Sequence, residues 1–86
     1  MPTESLHVRC RFFARYAELL GTEEVALTLP GRSIVRDAVR RVRQELPHGE
    51  RIPERPLVAV NREHALADRP LANGDELAFL PPLAGG

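Results

Sequence analysis

Only one stretch of this chain carries a helical period long enough for a substantial helix. Val35, Ala38, Val39, Val42 and Leu46 recur at i, i+3, i+4, i+7 and i+11, which lays five apolar side chains along one face. Pro47 ends the run because it has no N–H to give, and Ser33 is placed to cap the first turn with its hydroxyl. The opposite face carries Arg36, Arg40, Arg41 and Arg43 and is read as a solvated surface. A lone amphipathic helix cannot enclose a core by itself. The remaining apolar residues must therefore supply a sheet for it to lie on.

They do so in period two. Leu6, Val8, Cys10 and Phe12 alternate with His7, Arg9, Arg11 and Phe13, so the first set is expected to face the helix and the second to face outward. Ala14 to Leu20 is a short helical stretch with Gly21 at the position of a left-handed cap. Val25, Leu27 and Leu29 form a second strand that closes at Pro30-Gly31. Residues His48 to Pro56, with Gly49, Pro53 and Pro56, read as an irregular loop, and Leu57 to Val60 as a short buried strand followed by a turn from Asn61. A brief edge strand is expected around His64 to Leu66. The Asn73-Gly74-Asp75 turn then leads into a last strand with Leu77 and Phe79 inward and Glu76, Ala78 and Leu80 outward. The order gives an α+β class, a mixed sheet packed on one main helix. It is compatible with the β-grasp arrangement, in which the first and last strands lie parallel and adjacent at the sheet centre.

At 86 residues the chain holds one domain with a small core, too small for a deep self-contained active site, so a module that works with a partner is expected. Twelve basic residues, all arginine, balance twelve acidic ones. That balance leaves no broad positive field for nucleic acid or an anionic membrane, and neither is an expected partner. No apolar run approaches the ~20 residues of a membrane span, and a charged leader followed by an apolar stretch is missing at the start. The single cysteine, Cys10, cannot close an internal disulfide and is read as a small buried apolar residue, which fits a reducing compartment and a cytoplasmic, complete chain. His7, His48 and His64 share no ligand-like spacing, so no metal site is expected. Ser5 and Ser33 have no nucleophile motif around them.

The chemistry is expected at the end of the chain. Residues 1–80 are read as the folded domain and 81–86, Pro81-Pro82-Leu83-Ala84-Gly85-Gly86, as a flexible tail. Two prolines stiffen its base, and the last two residues present bare backbone that fits a narrow channel. Six extended residues reach about 20 Å. A main-chain carboxylate with a pKa of about 3.5 is ionised at neutral pH. It can attack the α-phosphate of ATP on a partner enzyme to give an acyl-adenylate, a mixed anhydride open to thiol or sulfide.

Taken in order, Phe12-Phe13-Ala14 with Glu18-Leu19 and Gly21, then Val58-Ala59-Val60-Asn61, Pro70-Leu71, Gly74-Asp75-Glu76, Ala78-Phe79 and Pro81-Pro82 leading to Gly85-Gly86 resemble the small subunit of molybdopterin synthase. That family comprises ubiquitin-like sulfur carriers of the β-grasp fold, and the likeness spans nearly the whole chain. It implies that Gly86, with Gly85 beside it, is adenylated by a ubiquitin-activating-type adenylyltransferase, converted to a thiocarboxylate and inserted into the large subunit. There it would give sulfur to cyclic pyranopterin monophosphate in molybdenum cofactor biosynthesis. No cofactor is bound by the carrier itself; ATP and a sulfur donor are used by the activating partner. Family members often carry Phe-Phe-Pro-Pro where this chain has Phe79-Leu80-Pro81-Pro82. Phe13 and Leu80 are expected together on the outward sheet face as a docking patch, with His64 near it by the family likeness and Pro81, Pro82, Leu83 and Ala84 continuing the contact. The alternatives are a carrier for thiamine, cysteine or tRNA thiolation, a ubiquitin-like modifier joined through Gly86 to lysines, or a binding domain in which the tail is incidental. With no lysine of its own the chain cannot build isopeptide polymers on itself.

Overall fold

The structure is a computed structural model and describes residues 4–82. Chain order is β1 (Ser5–Phe12), α1 (Ala14–Leu20), β2 (Glu24–Pro30), α2 (Val35–Glu45), a 3-10 turn (Gly49–Arg51), β3 (Leu57–Val60), β4 (Glu63–Ala65) and β5 (Glu76–Leu80). The five strands form one mixed sheet in the order β2-β1-β5-β3-β4. β1 and β5 run parallel at its centre, with Cys10 opposite Leu77 and Phe12 opposite Phe79, and the other three pairings are antiparallel. This is the ubiquitin-like β-grasp arrangement that the strand and helix order permits and the family likeness implies.

The alternation sorts the two faces as expected. Val8, Cys10, Phe12, Leu27, Leu29, Val58, Val60, Leu77 and Phe79 are buried on the side that meets α2, whose Val35, Ala38, Val39 and Val42 are buried in return. The Phe12 and Phe79 rings lie 5.2 Å apart at 56°, an inclined contact across the central parallel pair. Gly21 caps α1 with φ 72°, its N–H donating to the Ala17 carbonyl.

Four local expectations are corrected. Ser33 does not cap α2: its Oγ–H donates to the Pro30 carbonyl at 2.6 Å, and Ile34 occupies the cap position. The cap interaction comes instead from Asp37, whose Oδ2 accepts the Ile34 N–H at 2.8 Å, placing a carboxylate in the first turn where the helix dipole favours it. The His48–Pro56 loop contains the 3-10 turn, and its Ile52 is fully buried. The α2 arginines are not uniformly solvated. Arg36 and Arg40 are exposed, but Arg43 donates from Nε to the Ile52 carbonyl at 2.7 Å and from Nη2 to the Glu50 carbonyl at 3.3 Å, which pins that loop under the helix. Arg41 reaches the Thr28 carbonyl at 3.0 Å and Glu45 at 3.2 Å. Finally, β4 begins at Glu63, one residue before the expected start.

Candidate functional site

Register fixes which outward residues meet at the end of the central strands. Phe12 pairs with Phe79 across parallel strands, so Phe13 and Leu80 follow one step further in the same direction. Phe13 keeps an extended backbone, φ −119° and ψ 151°, before α1 starts, and so continues the alternation outward. On the other flank of β5, Leu57 pairs with Leu80. Phe13, Leu80 and Leu57 therefore form one row on the outward face, at the edge where the chain passes into Pro81 and Pro82. Phe13 is 36% exposed, Leu57 54%, and Leu80 half-buried, an apolar surface that the core does not use.

The next row inward is Arg11, Ala78, Ala59 and His64, one residue from each of β1, β5, β3 and β4. The two alanines keep the centre low, with a guanidinium at one end and an exposed imidazole at the other. Arg11 lies 5.2 Å over the Phe13 ring and 3.6 Å from a Glu76 carboxylate oxygen, so the cation steadies the aromatic ring while remaining at the surface. Thus the structure brings Phe13, His64, Leu80, Pro81 and Pro82 to one end of one face. Leu83, Ala84, Gly85 and Gly86 lie outside the described residues.

Leu57 joins this row with no signal in the sequence: it belongs to a four-residue apolar run expected to be buried, and only its pairing with the outward-facing Leu80 shows that it points the same way. Cys10 behaves as anticipated: it is fully buried, and desolvation pushes its thiol up to about 12, so at neutral pH it holds its proton and is no nucleophile. Among the described residues no three His, Cys, Asp or Glu side chains converge as a metal site would require, and no helix is long and apolar enough to cross a membrane.

The opposite end of the sheet is tied by a polar joint. Asn61 donates to Asp75 Oδ1 at 2.9 Å and accepts the Glu76 N–H at 3.0 Å, while Asp75 Oδ2 accepts the Ala72 N–H at 2.8 Å and Asn73 Oδ1 accepts the His7 N–H at 2.8 Å. These groups are spent on backbone and on one another, and the Gly74 N–H donates to the His7 carbonyl, which assigns Asn61, Gly74 and Asp75 to architecture.

The model of the ThiS family matches residues 10–86. The molybdopterin synthase sulfur carrier subunit of Escherichia coli (strain K12) is 37% identical over 85 residues, covering 92% of this chain and 99% of that one. Its namesake in Arabidopsis thaliana is 29% identical over 84 residues, covering 98% and 88%. Among solved structures, the small archaeal modifier protein 1 of H. volcanii superposes with a TM-score of 0.82 at 29% identity, over 91% of this chain and 99% of that chain.

Proposed function

The chain belongs to the ThiS family, and from that premise we propose that it serves molybdenum cofactor biosynthesis as a sulfur carrier loaded on the main-chain carboxylate of Gly86. The observation that carries this reading is the apolar row of Phe13, Leu80 and Leu57 at the strand end from which Pro81 and Pro82 depart. A surface of that kind, set at the root of the terminal segment, suits a protein whose reacting group is received by another. The described side chains offer no activated nucleophile that competes with it.

In the loading step a carboxylate oxygen of Gly86 attacks the α-phosphorus of ATP on a ubiquitin-activating-type adenylyltransferase. The P–O bond to pyrophosphate breaks, leaving an acyl-adenylate. A hydrosulfide equivalent then attacks the carbonyl carbon, AMP leaves with the C–O bond electrons, and the lost proton goes to solvent, giving the thiocarboxylate. Phe13, Leu80 and Leu57 dock the carrier on the large subunit of the synthase, with His64 at the rim. Pro81 to Ala84 span the distance inward, and Gly85 and Gly86 give close access to the sulfur acceptor, a pterin precursor.

The test is reconstitution with the activating enzyme, ATP and a sulfide source, followed by intact-mass measurement and then addition of the large subunit and pterin precursor. A mass gain equal to exchange of one oxygen for sulfur, lost again on transfer, is expected. Deletion of Gly86 should abolish the gain without lowering the unfolding midpoint. An unchanged mass in the intact chain would overturn the proposal. The likeness to a small archaeal modifier protein supports a second reading, in which a lysine amine of another protein attacks the same activated carbonyl and forms an isopeptide bond. Conjugates recovered on other proteins, with no thiocarboxylate intermediate consumed by the pterin, would favour it.

A further inference from the structure

A second concave surface lies between α2 and the β3–β4 edge of the sheet. β4 is only three residues long and its core-side residue is Ala65, so the sheet stops short of covering the start of α2. The result is a trough of about 540 Å³ floored by the buried Val35, Val39 and Val58 and edged by Leu57 and Leu66, the latter 78% exposed. It adjoins a smaller hollow of about 260 Å³ lined by Arg36, Arg40, Arg43, Arg55 and Glu54. Arg36, Arg40 and Arg43 recur at i, i+4 and i+7 and so share one side of the helix.

The charge balance of this rim is one-sided. Arg43 is engaged with Glu54 at 3.7 Å and with the Ile52 carbonyl. Among the described residues no carboxylate lies within 4 Å of Arg36, Arg40 or Arg55, although the chain as a whole is neutral. Three guanidiniums gathered beside an aliphatic floor repel one another and attract anions, while the floor gains only from aliphatic cover. A phosphate polymer would satisfy the arginines and leave the valines bare, and the one aromatic ring among the described lining residues is the His64 imidazole at the edge, too little to stack a run of bases.

We propose that this trough docks an acidic amphipathic peptide segment of a partner protein. Its aliphatic side chains lie over Val39 and Leu66, and its carboxylates face Arg36, Arg40 and Arg55. The trough shares its Leu57 and His64 edge with the docking row, but its valine floor and its arginines lie toward α2, so peptide binding there is tested without reference to sulfur transfer.

The full-length chain, labelled with nitrogen-15, is titrated with the peptide Asp-Asp-Leu-Ile-Val-Leu-Asp-Glu and with a twin in which lysine replaces each acid. Saturable shifts are expected at residues 35–43, 55–58 and 65–67, weakening as salt rises. The double variant Arg36→Glu with Arg55→Glu should bind at least about tenfold more weakly. Arg15→Glu, half that change of charge at an exposed position of α1, should retain binding. Unsaturable shifts, equal affinity for the lysine twin, shifts confined to Phe13 and Leu80, or self-association of the chain through the trough would each overturn the proposal.

Discussion

Gly49 shows how a single residue is fixed by its neighbours rather than by its own backbone freedom. A methyl group built on it would press into the Val42 carbonyl oxygen and stand 2.9 Å from that of Arg43, both backbone atoms of α2 that cannot turn aside. Gly49→Ala is therefore expected to cost ~1–3 kcal/mol through overpacking, read from urea unfolding. Cys10 gives a residue-scale prediction with a sign. Burial lifts its folded-state pKa from the ordinary 9.0 to about 12, so the folded thiol keeps a proton that the unfolded one releases in that interval. Its contribution to stability is then complete below pH 9 and lost as pH climbs toward about 12, at up to about 1.4 kcal/mol per pH unit. Tyr16 is shifted upward by burial as well and acts in the same direction. The diagnostic quantity is accordingly the difference in alkaline slope between wild type and Cys10→Ala, and equal slopes would show that the thiol is not buried as described.

At the scale of elements, the β3–β4 hairpin carries a local conflict with a stated remedy. Its two-residue connection, Asn61-Arg62, has φ 50° and φ 73°, the double left-handed turn that matches strand twist. Asn61 suits the first position and its side chain also ties β5, but arginine at the second carries a Cβ that the left-handed region disfavours. Arg62→Gly should raise stability by about 1 kcal/mol, and an unchanged unfolding midpoint would count against the turn assignment. The same scale explains what was legible beforehand. Strands β1, β2 and β5 and helices α1 and α2 each spread their apolar residues over several periods, and their spans agree with the sequence to within a residue or two. Ile52 escaped because one apolar residue between Gly49 and Pro53 defines no period, and the outward turn of Leu57 escaped because four consecutive apolar residues carry no alternation. Ser33 misled because a hydroxyl near a helix start is a familiar cap, whereas the carboxylate of Asp37 sits three residues beyond the true cap position and takes that role.

For the molecule as a whole, the parallel pairing of β1 with β5 is what makes the two ends of the sheet different. It sends the start of α1 and the segment beyond β5 out of the same end, so Phe13 and Leu80 meet there, while the Asn61, Asn73 and Asp75 joint closes the other end. The facing of the pair Phe12-Phe13 then separates stability from docking. Phe12 is buried against Phe79, and its truncation to alanine should cost ~3–5 kcal/mol by opening a cavity. Phe13→Ala should fold with a near-normal unfolding midpoint yet weaken binding to the large subunit by ~1–2 kcal/mol or more. Leu57→Glu should behave like Phe13→Ala, since a carboxylate at a 54% exposed position costs the isolated fold little but must be desolvated, unpaired, in the complex. Binding by titration calorimetry and unfolding by urea on the same three variants decide the matter. Were Phe13→Ala to unfold the domain while Phe12→Ala left it intact, the assignment of faces, and with it the docking row, would have to be reversed.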